Sequence, residues 1–428
     1  MGTIPDSVKV TIREIEEKLN KRPVLKSMFG RCFSNTIETT TELVEDGTTY
    51  VFTGDIPAMW LRDSTAQVRH YLPLAAKDTE LQRVIEGLIK RQILYISIDP
   101  YANAFNKEPN NRGHKDDITE QNPWVWERKY EIDSLCYPIQ LSYLYWRTVG
   151  KTSIFDAAFA EAISAIIKLW KTEQRHFEHS SYRFSNPKRP WQDTLHNHGM
   201  GAPVNYTGMT WSGFRPSDDA CTFGYLIPSN MFAVVVLGYI EEIAKEVYNH
   251  TELAQQARAL KKEIDYGIKT YGIYDHYKYG KIYACETDGF GNYSLLDDAN
   301  VPSLLSIPYL GYKEAEHPIY ANTRKFILSK DNPYYFEGKY AKGIGSPHTP
   351  KGYIWHIALI MQALTSNSDD EILYILDMLE NTHAGTGLMH EGFNADNPEA
   401  FTRPWFAWAN SLFGELIYKL AYETSIFV

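Results

Sequence analysis

Residues 228–271 read PSNMFAVVVLGYIEEIAKEVYNHTELAQQARALKKEIDYGIKTY, and they contain two helical patterns in succession. In 228–247 and again in 251–271, apolar residues recur with the 3.6-residue spacing of an amphipathic helix. Only three residues separate the two patterns, so we expect the helices to lie side by side as an αα-hairpin. This hairpin is the unit from which the rest of the fold is predicted.

The same helical spacing recurs along the whole chain. It is found in 6–20, 62–76, 78–97, 131–149, 153–175, 352–365, 368–380 and 405–424. Three further pairs are joined by short turns, namely 62–76 with 78–97, 131–149 with 153–175, and 352–365 with 368–380. A weaker stretch after Asp297 is expected to pair with Pro318–Ser329, and 405–424 is expected to close the ring against 6–20.

Six helical hairpins predict an all-α protein, an (α/α)6 barrel with long loops on one face and a few short strands. Strand signals are confined to short segments such as Thr49–Thr53 and Lys281–Ala284. No segment of linker composition divides the chain, so a single domain over 1–428 is expected. Because the hairpins share no similarity at the residue level, an open solenoid is the competing arrangement.

Long loops rich in Trp, Asp, Asn, His, Gly and Pro precede the first helix of each pair, whereas the turn inside each pair is short. In a barrel, all of these loops would emerge on the same face and converge on one pocket. The chain also has 30 Tyr, 19 Phe and 10 Trp. Flat rings beside Asp, Asn and His are typical of sugar sites, because one face of a pyranose is rich in C–H groups.

The net charge of -10 argues against a nucleic acid or an anionic membrane as partner, since both require a basic surface. No apolar stretch is read as approaching the roughly 20 residues that cross a bilayer. The start, MGTIPDSVKV, lacks the pattern of a secretory signal, and the cysteines are scattered without a CxxC pair. We therefore expect a cytoplasmic protein with a neutral ligand, whose oligomeric state the sequence leaves open.

Three sequence blocks carry candidate chemistry. The first, GDIPAMWLRDSTAQVR at 54–69, places Arg62 and Asp63 beside Trp60 at the start of a helix, where free backbone N–H groups also bind oxygens. Alternatively, Asp63 caps the helix and Arg62 is a surface charge.

The second block, WSGFRPSDDACTFGY at 211–225, places Arg215, Asp218 and Asp219 in a loop flanked by aromatic residues. A desolvated carboxyl group in such surroundings stays protonated and can serve as a general acid. Alternatively, the two aspartates are an N-cap pair for the helix that contains Met231.

The third block, GLMHEGFNADNPEAFTRP at 387–404, holds Glu391 between His390 and Gly392. Glu391 is the better candidate for a general base, whereas Asp396 and Glu399 are expected to be solvated loop charges. A glutamate in a loop can also be solvated and without a role in catalysis.

The segment WQDTLHNHGMGAPVN at 191–205 contains Asp193, His196 and His198. Their spacing is loose for a zinc site, and recognition of sugar hydroxyls or plain loop structure are the other interpretations. Further polar residues that either line the pocket or cap helices are Glu286, Asp288, Asp297, Asp298, His348 and Trp355. The sequence has no GxSxG, P-loop, HExxH or GxGxxG motif, which leaves carboxylate chemistry as the favoured mechanism.

The three blocks resemble glycoside hydrolase family 125, the bacterial exo-α-1,6-mannosidases, and the resemblance extends over essentially the whole chain. It implies an (α/α)6 catalytic domain that releases terminal α-1,6-linked mannose from mannose-containing oligosaccharides with inversion, without a metal or another cofactor. It places the general acid on Asp218 and the general base on Glu391. The residues that it implies for binding the terminal mannose are Trp60, Arg62, Asp63, Asn122, Trp124, His196, Arg215 and Trp355.

Two other classes of function fit parts of this pattern. One is another α-glycosidase or a calcium-dependent α-mannosidase, which chelation would distinguish. The other is a sugar-binding helical barrel without turnover, or a helical-barrel epimerase, because aromatic loops alone would suit either of them.

Overall fold

The computed structural model describes residues 3–427, and within them the chain forms sixteen α-helices. These are α1 (Asp6–Lys18), α2 (Pro23–Thr39), α3 (Leu61–Arg69), α4 (Leu72–Ala75), α5 (Thr79–Ile98), α6 (Ile132–Val149), α7 (Ala157–Glu173), α8 (His176–His179), α9 (His196–Gly199), α10 (Ile227–Glu246), α11 (Thr251–Tyr271), α12 (Ile307–Leu310), α13 (Pro318–Ile327), α14 (His356–Leu364), α15 (Asp369–Thr382) and α16 (Ala407–Glu423).

The helices form an inner and an outer ring. The inner ring consists of α3, α6, α10, α12, α14 and α16; contacts run from α3 through α6 and α10 to α12, and from α14 through α16 back to α3. The contact between the last helix and α3 closes the ring, which excludes an open solenoid. The predicted (α/α)6 barrel is therefore confirmed.

Outer helices bury one stripe, whereas inner helices are buried almost all round. In α11 the buried residues include Leu253, Ala257, Leu260 and Ile264, at the spacing of one helix face. In α3, every residue from Leu61 to Val68 is buried. The hairpin of α10 and α11 that the sequence predicted is present with almost the expected bounds.

Capping residues mark the ends of several helices. The Asp78 carboxylate accepts hydrogen bonds from the backbone N–H groups of Glu80 and Leu81 and so begins α5. Gly150, with a φ of +83°, ends α6 in the left-handed conformation that glycine adopts without strain.

Fifteen short strands occur in the described chain, within the loops. They are β1 (Thr41–Leu43), β2 (Thr49–Val51), β3 (Met59–Trp60), β4 (Ala104–Phe105), β5 (Val125–Glu127), β6 (Tyr225–Leu226), β7 (Ile273–His276), β8 (Gly280–Tyr283), β9 (Glu286–Thr287), β10 (Tyr293–Ser294), β11 (Tyr335–Glu337), β12 (Lys342–Ile344), β13 (Tyr353–Trp355), β14 (Gly392–Asn394) and β15 (Asn397–Phe401). All their sheets have two or three antiparallel strands, in the orders β1-β2, β3-β4-β5, β10-β9-β6, β7-β8, β11-β12 and β13-β14-β15.

The prediction was wrong about the helices at the ends of the chain. Helix α2 was not predicted, and it is α2, more than α1, that packs against α16. The ring therefore closes by pairing the last helix with the second one, while α1 lies mainly against α2. The structure differs from the prediction at two further places. The expected helix 62–76 is broken after Arg69, and the stretch after Asp297 forms only the single turn of α12.

Helix α10 corrects a second expectation. By length and composition it is apolar enough to cross a membrane, although no such stretch was expected from the sequence. In the structure, 72% of its most apolar 18-residue segment is buried, and the helix packs between α6 and α11. Its apolar surface is thus used within the barrel.

Candidate active site

A cavity of about 40 Å³ lies where the loops that precede the inner helices meet. It is lined by Thr53, Ile56, Trp60, Arg62, Asp63, Pro216, Ser217, Asp218, Asn300, His348, Trp355, Glu391, Arg403 and Phe406. These residues precede or begin α3, α10, α12, α14 and α16. The expectation that polar loops from distant parts of the chain converge on one pocket is therefore confirmed.

The first block forms one wall of this cavity. Trp60 immediately precedes α3, and Arg62 and Asp63 lie in its first turn. The side chain of Arg62 is only 2% exposed, and its Nη1 donates hydrogen bonds to Glu131 Oε2 at 2.6 Å and Asp133 Oδ2 at 3.0 Å. The alternative that Arg62 is a surface charge is therefore wrong.

Arg62 balances a group of buried carboxyls behind the wall. Its Nε lies 3.6 Å from Asp63 Oδ2, in addition to the two acids that it contacts through Nη1. Burial raises the pKa of Asp63 to about 6, against the opposing charges of Arg62 and Arg403. Burial also raises the pKa of Glu131 well above its usual range. This wall can hold both ionised and protonated carboxyl groups near neutral pH.

The second block forms a tight turn on the cavity wall. The N–H of Asp218 donates to the carbonyl oxygen of Arg215 at 2.9 Å, and the N–H of Arg215 donates to the carbonyl oxygen of Asp219 at 2.8 Å. Beneath the turn, Arg215 Nε donates to Glu286 Oε1 at 2.6 Å. Helix α10 begins only at Ile227, so the alternative that these aspartates cap it is wrong.

Asp218 is partly buried, but burial does not decide its charge. Burial raises the pKa of Asp218, yet the positive charges of Lys129, Arg62, His348 and Arg403 outweigh that effect, and the pKa lies below its usual range. The sequence argument that desolvation keeps this carboxyl protonated was therefore wrong. It considered the aromatic neighbours in the sequence and missed four cations that come from other loops.

Asp219, the neighbour of Asp218, points to a different partner. Its Oδ1 lies 3.1 Å from Nδ1 of His348, whose side chain lines the cavity. Burial lowers the pKa of His348, but the hydrogen bond and charge of Asp219, with the charges of Asp218 and Glu391, raise it to about 9. At neutral pH His348 is therefore a cation that lines the same cavity as Asp218 and Glu391.

The third block contributes Glu391. Strand β14 pairs with β13, which places Gly392 opposite Trp355 and so brings Glu391 beside the indole that lines the cavity. Glu391 Oε1 lies 3.8 Å from Nη1 of Arg403, whose Nε donates to Asp55 Oδ1 at 3.0 Å. The glutamate is thus held near a guanidinium that is itself anchored.

The structure brings together six of the ten residues that the resemblance implied. Trp60, Arg62, Asp63, Asp218, Trp355 and Glu391 line the cavity. Asp396 and Glu399, which were expected to be solvated, are exposed. The cavity residues are the part of the predicted site that the fold assembles in one place.

The other four residues lie elsewhere. Arg215 is buried beneath the Asp218 turn, as described above. Asn122 and Trp124 occupy one loop, where Asn122 Oδ1 accepts a hydrogen bond from the Trp124 N–H at 2.9 Å. His196 is exposed and borders a separate surface pocket together with Trp191. The binding roles of these four residues stay predictions.

Sequence reasoning missed several residues of the cavity. Phe406 and Arg403 lie at or just beyond the end of the third block, and Ser217 lies in the second; their position in those blocks was the available signal. Asn300 gave no such signal, because it reaches the cavity from the loop before α12.

The segment with Asp193, His196 and His198 does not form a metal site. Asp193 Oδ1 instead accepts a hydrogen bond from Lys129 Nζ at 3.1 Å. Among residues 3–427, no three His, Cys, Asp or Glu side chains are placed together to hold a metal ion.

A closed helical barrel that places three carboxyl groups and two tryptophans around one cavity has the groups that a glycoside hydrolase needs, because such enzymes act with a pair of carboxyl groups. The family model described as metal-independent alpha-mannosidase (GH125) matches residues 22–418. The chain belongs to this family. The family resemblance and the α-mannosidase activity that the sequence predicted are confirmed, whereas a calcium-dependent mannosidase does not fit this assignment.

Known proteins support this assignment. A metal-independent alpha-mannosidase of Streptococcus pneumoniae, solved in a non-productive complex with α-1,6-mannobiose, is 49% identical with a TM-score of 0.96, covering 98% of this chain and 99% of that one. The Schizosaccharomyces pombe protein named Meiotically up-regulated gene 157 protein is 42% identical over 97% of this chain and 85% of its own length. A bacterial glucoamylase complexed with acarbose, with 11% identity and a TM-score of 0.57 over 87% of this chain and 50% of its own, shares the fold.

Proposed function

We propose that the protein is an inverting exo-α-1,6-mannosidase in which Asp218 is the general acid and Glu391 the general base. The observation that carries this proposal is that both side chains line the same cavity, although they come from distant parts of the chain. The linkage is drawn from the Streptococcus pneumoniae relative, whose complex contains α-1,6-mannobiose.

In this mechanism Asp218 protonates the glycosidic oxygen as the bond to the leaving sugar breaks. The acid must therefore gain a proton that its low pKa disfavours. A bound mannose would displace water and raise the pKa of Asp218, since desolvation disfavours the carboxylate. Protonation would thus follow substrate binding.

Glu391 deprotonates the water that attacks the opposite face of the sugar. Arg403 Nη1 lies 3.8 Å from Glu391 Oε1, within the distance of an ion pair. In inverting enzymes the two carboxyl groups stand about 6.5–9.5 Å apart, which leaves room for that water. The product of the first turnover is then β-mannose.

Exo action follows from the polar wall formed by Arg62 and Asp63. Such groups bind the hydroxyls of a terminal sugar, and hydrogen bonds that strengthen in the distorted sugar of the transition state accelerate the reaction. The indole rings of Trp60 and Trp355 offer apolar faces to the C–H side of the ring.

The proposal is tested by incubating the protein with α-1,6-mannobiose and following the sugars by proton NMR. β-Mannose as the first product supports inversion, and α-mannose would show retention. A sugar that binds without release would indicate a binding protein, and a changed sugar would indicate an epimerase.

Variants test the two roles separately. Asp218→Asn and Glu391→Gln are each expected to lower kcat by about 10²–10⁴-fold. Asp396→Asn is the matched control, because this carboxylate is exposed in the same loop as Glu391. Near-normal turnover in Asp218→Asn would overturn the acid assignment.

We further propose that the enzyme acts in the cytoplasm on imported fragments of N-glycans. Supporting this, Cys32, Cys136, Cys221 and Cys285 are all buried free thiols, which suit a reducing compartment. Cell fractionation tests the location, and recovery of the protein solely outside intact cells would contradict it.

A further inference from the structure

Lys129 lies behind the proposed acid and makes no part of the cavity lining. Its side chain is 2% exposed, and its Nζ donates a hydrogen bond to the carbonyl oxygen of Asp218 at 2.8 Å. The same Nζ donates to Asp193 Oδ1 at 3.1 Å and lies 3.7 Å from Glu127 Oε1. A buried ammonium group thus connects the acid turn to two further carboxylates.

The conformation of Asp218 requires such support. Its φ is +70°, in the left-handed region that residues with a Cβ adopt infrequently. Backbone strain of this kind persists where surrounding contacts hold it and is frequent at active sites. Lys129 supplies a charged hydrogen bond to the carbonyl group of this strained residue.

The side chain of Asp218 has a support of its own. Asn103 Nδ2 lies 3.4 Å from Asp218 Oδ1 and donates to Glu127 Oε2 at 2.9 Å. Asn103 Oδ1 in turn accepts a hydrogen bond from the backbone N–H of Lys129 at 3.1 Å. Backbone and carboxyl of the acid are therefore held by one connected group of residues.

We propose that Lys129 is a positioning residue for the general acid: it holds the Asp218 turn in its strained conformation and supplies a fixed positive charge beside the carboxyl group. The inference rests on the proposed function, because it concerns the acid named there. It concerns a residue that does not contact the cavity and acts only through Asp218.

The charges around Asp218 come from several elements of the fold. The cations are Arg62 on α3, Lys129 before α6, His348 before α14 and Arg403 before α16, and the nearby acids are Asp63 and Glu131. Among the cations, Lys129 makes the largest contribution to lowering the pKa of Asp218. Asp219 faces His348, while Asp193 and Glu127 face Lys129.

Two substitutions should shift the titration of Asp218 in opposite directions. Lys129→Met removes the cation, so the pKa of Asp218 should rise by about one unit or more, the range for an opposite charge in close proximity. Asp193→Asn leaves the charge of Lys129 less compensated, so the same pKa should fall. The second shift should be smaller, because Asp193 is partly exposed and reaches Asp218 only through Lys129.

The experiment is the pH profile of kcat/KM for α-1,6-mannobiose, whose limbs report the essential acid and base. We expect the limb of the profile that reports Asp218 to move to higher pH in Lys129→Met. The same limb should move to lower pH in Asp193→Asn. Lys129→Arg retains the charge and should restore the wild-type position of that limb. The matched controls are Lys188→Met and Asp116→Asn, which change an exposed lysine–aspartate pair and should leave the profile unchanged.

Unshifted limbs in folded Lys129→Met, or shifts of the same sign in both variants, would overturn the proposal. A purely structural role for Lys129 would lower the melting temperature and kcat without moving a limb. If Lys129→Met fails to fold, Asp193→Asn alone decides, and an unshifted profile then counts against the proposal. The activity of Asp218→Asn tests the acid assignment with Lys129 still in place. It therefore distinguishes a failure of the proposal for Lys129 from a failure of the acid assignment.

Discussion

The substitution Arg62→Met removes a guanidinium that is 2% exposed and leaves its three carboxyl neighbours in place. Methionine is long and flexible enough to fill much of the vacated space, so the main effect is electrostatic. Breaking a buried ion pair by removing one partner costs roughly 3–5 kcal/mol, because a buried charge is left without compensation. We expect the free energy of unfolding to fall by that amount at neutral pH.

The size of the chain converts this loss into a temperature. With an unfolding entropy of about 2.1 cal/mol/K per residue, 428 residues give a decrease in Tm of about 3–6 °C. Arg147→Met is the control, because Arg147 makes exposed ion pairs with Glu242 and Glu246. Exposed pairs contribute about 0–1 kcal/mol, so the Tm of this control should hardly change.

The loss of unfolding free energy in Arg62→Met should depend on pH, because the buried carboxyl groups titrate. Burial raises the pKa of Glu131 and of Asp133, and removing Arg62 should raise both further. A carboxyl whose pKa is higher in the folded state contributes stability below its unfolded pKa, and this stability is lost as the pH rises through the folded pKa. The difference between wild type and Arg62→Met should therefore grow as the pH rises above the ordinary carboxyl pKa of about 4.

The assay is denaturant or thermal unfolding at several pH values, with Glu131→Gln added as a second substitution. Because the amide needs no counterion, the double variant should recover part of the stability that Arg62→Met loses. A loss below about 1 kcal/mol at pH 8, or a larger loss at pH 5 than at pH 8, would refute the reasoning.

Three further outcomes follow from the structure. Burial lowers the pKa of His70 to about 4 and of His356 to about 3, so stability that is fully present above pH 6.5 should be lost as the pH falls towards these values. Each shift corresponds to about 3–5 kcal/mol, which unfolding titrations measure, and a flat profile between pH 6.5 and pH 3 would contradict it. Gly54→Ala should destabilise by about 2–4 kcal/mol, because φ is +129° and the added Cβ would lie 2.4 Å from the carbonyl oxygen of Trp405; an unchanged Tm would contradict this contact. EDTA should leave turnover of α-1,6-mannobiose unchanged, as expected for a family described as metal-independent, and a loss that calcium restores would argue against it.

The fold was largely predictable from local patterns. The hairpin of α10 and α11 follows from apolar spacing and a short turn, and this logic extends to the other strongly periodic pairs. It failed at α2, whose sequence PVLKSMFGRCFSNTIET is buried on a broad surface and shows little polar alternation. Helix α2 packs against α1 and, more extensively, against α16, which lies at the other end of the sequence, so local patterns alone do not reveal its packing.

The site was predictable to the extent that its residues stand in distinctive blocks. Trp60, Arg62, Asp218 and Glu391 could be named from such blocks, and the structure brings them to one cavity. Lys129 could not, because nothing in the surrounding sequence WERKYE shows that its ammonium group reaches the carbonyl oxygen of Asp218.

By itself, the sequence determined most of the long helices, the pairing of the strongly periodic ones, and which carboxyl groups are available for catalysis. Those properties depend on side-chain periodicity and residue type, which are local. Only the tertiary structure decided the charge of Asp218, because Lys129, Arg62, His348 and Arg403 approach it from separate parts of the chain. Electrostatic energy depends on distance and burial in space, and the linear order of residues contains neither quantity.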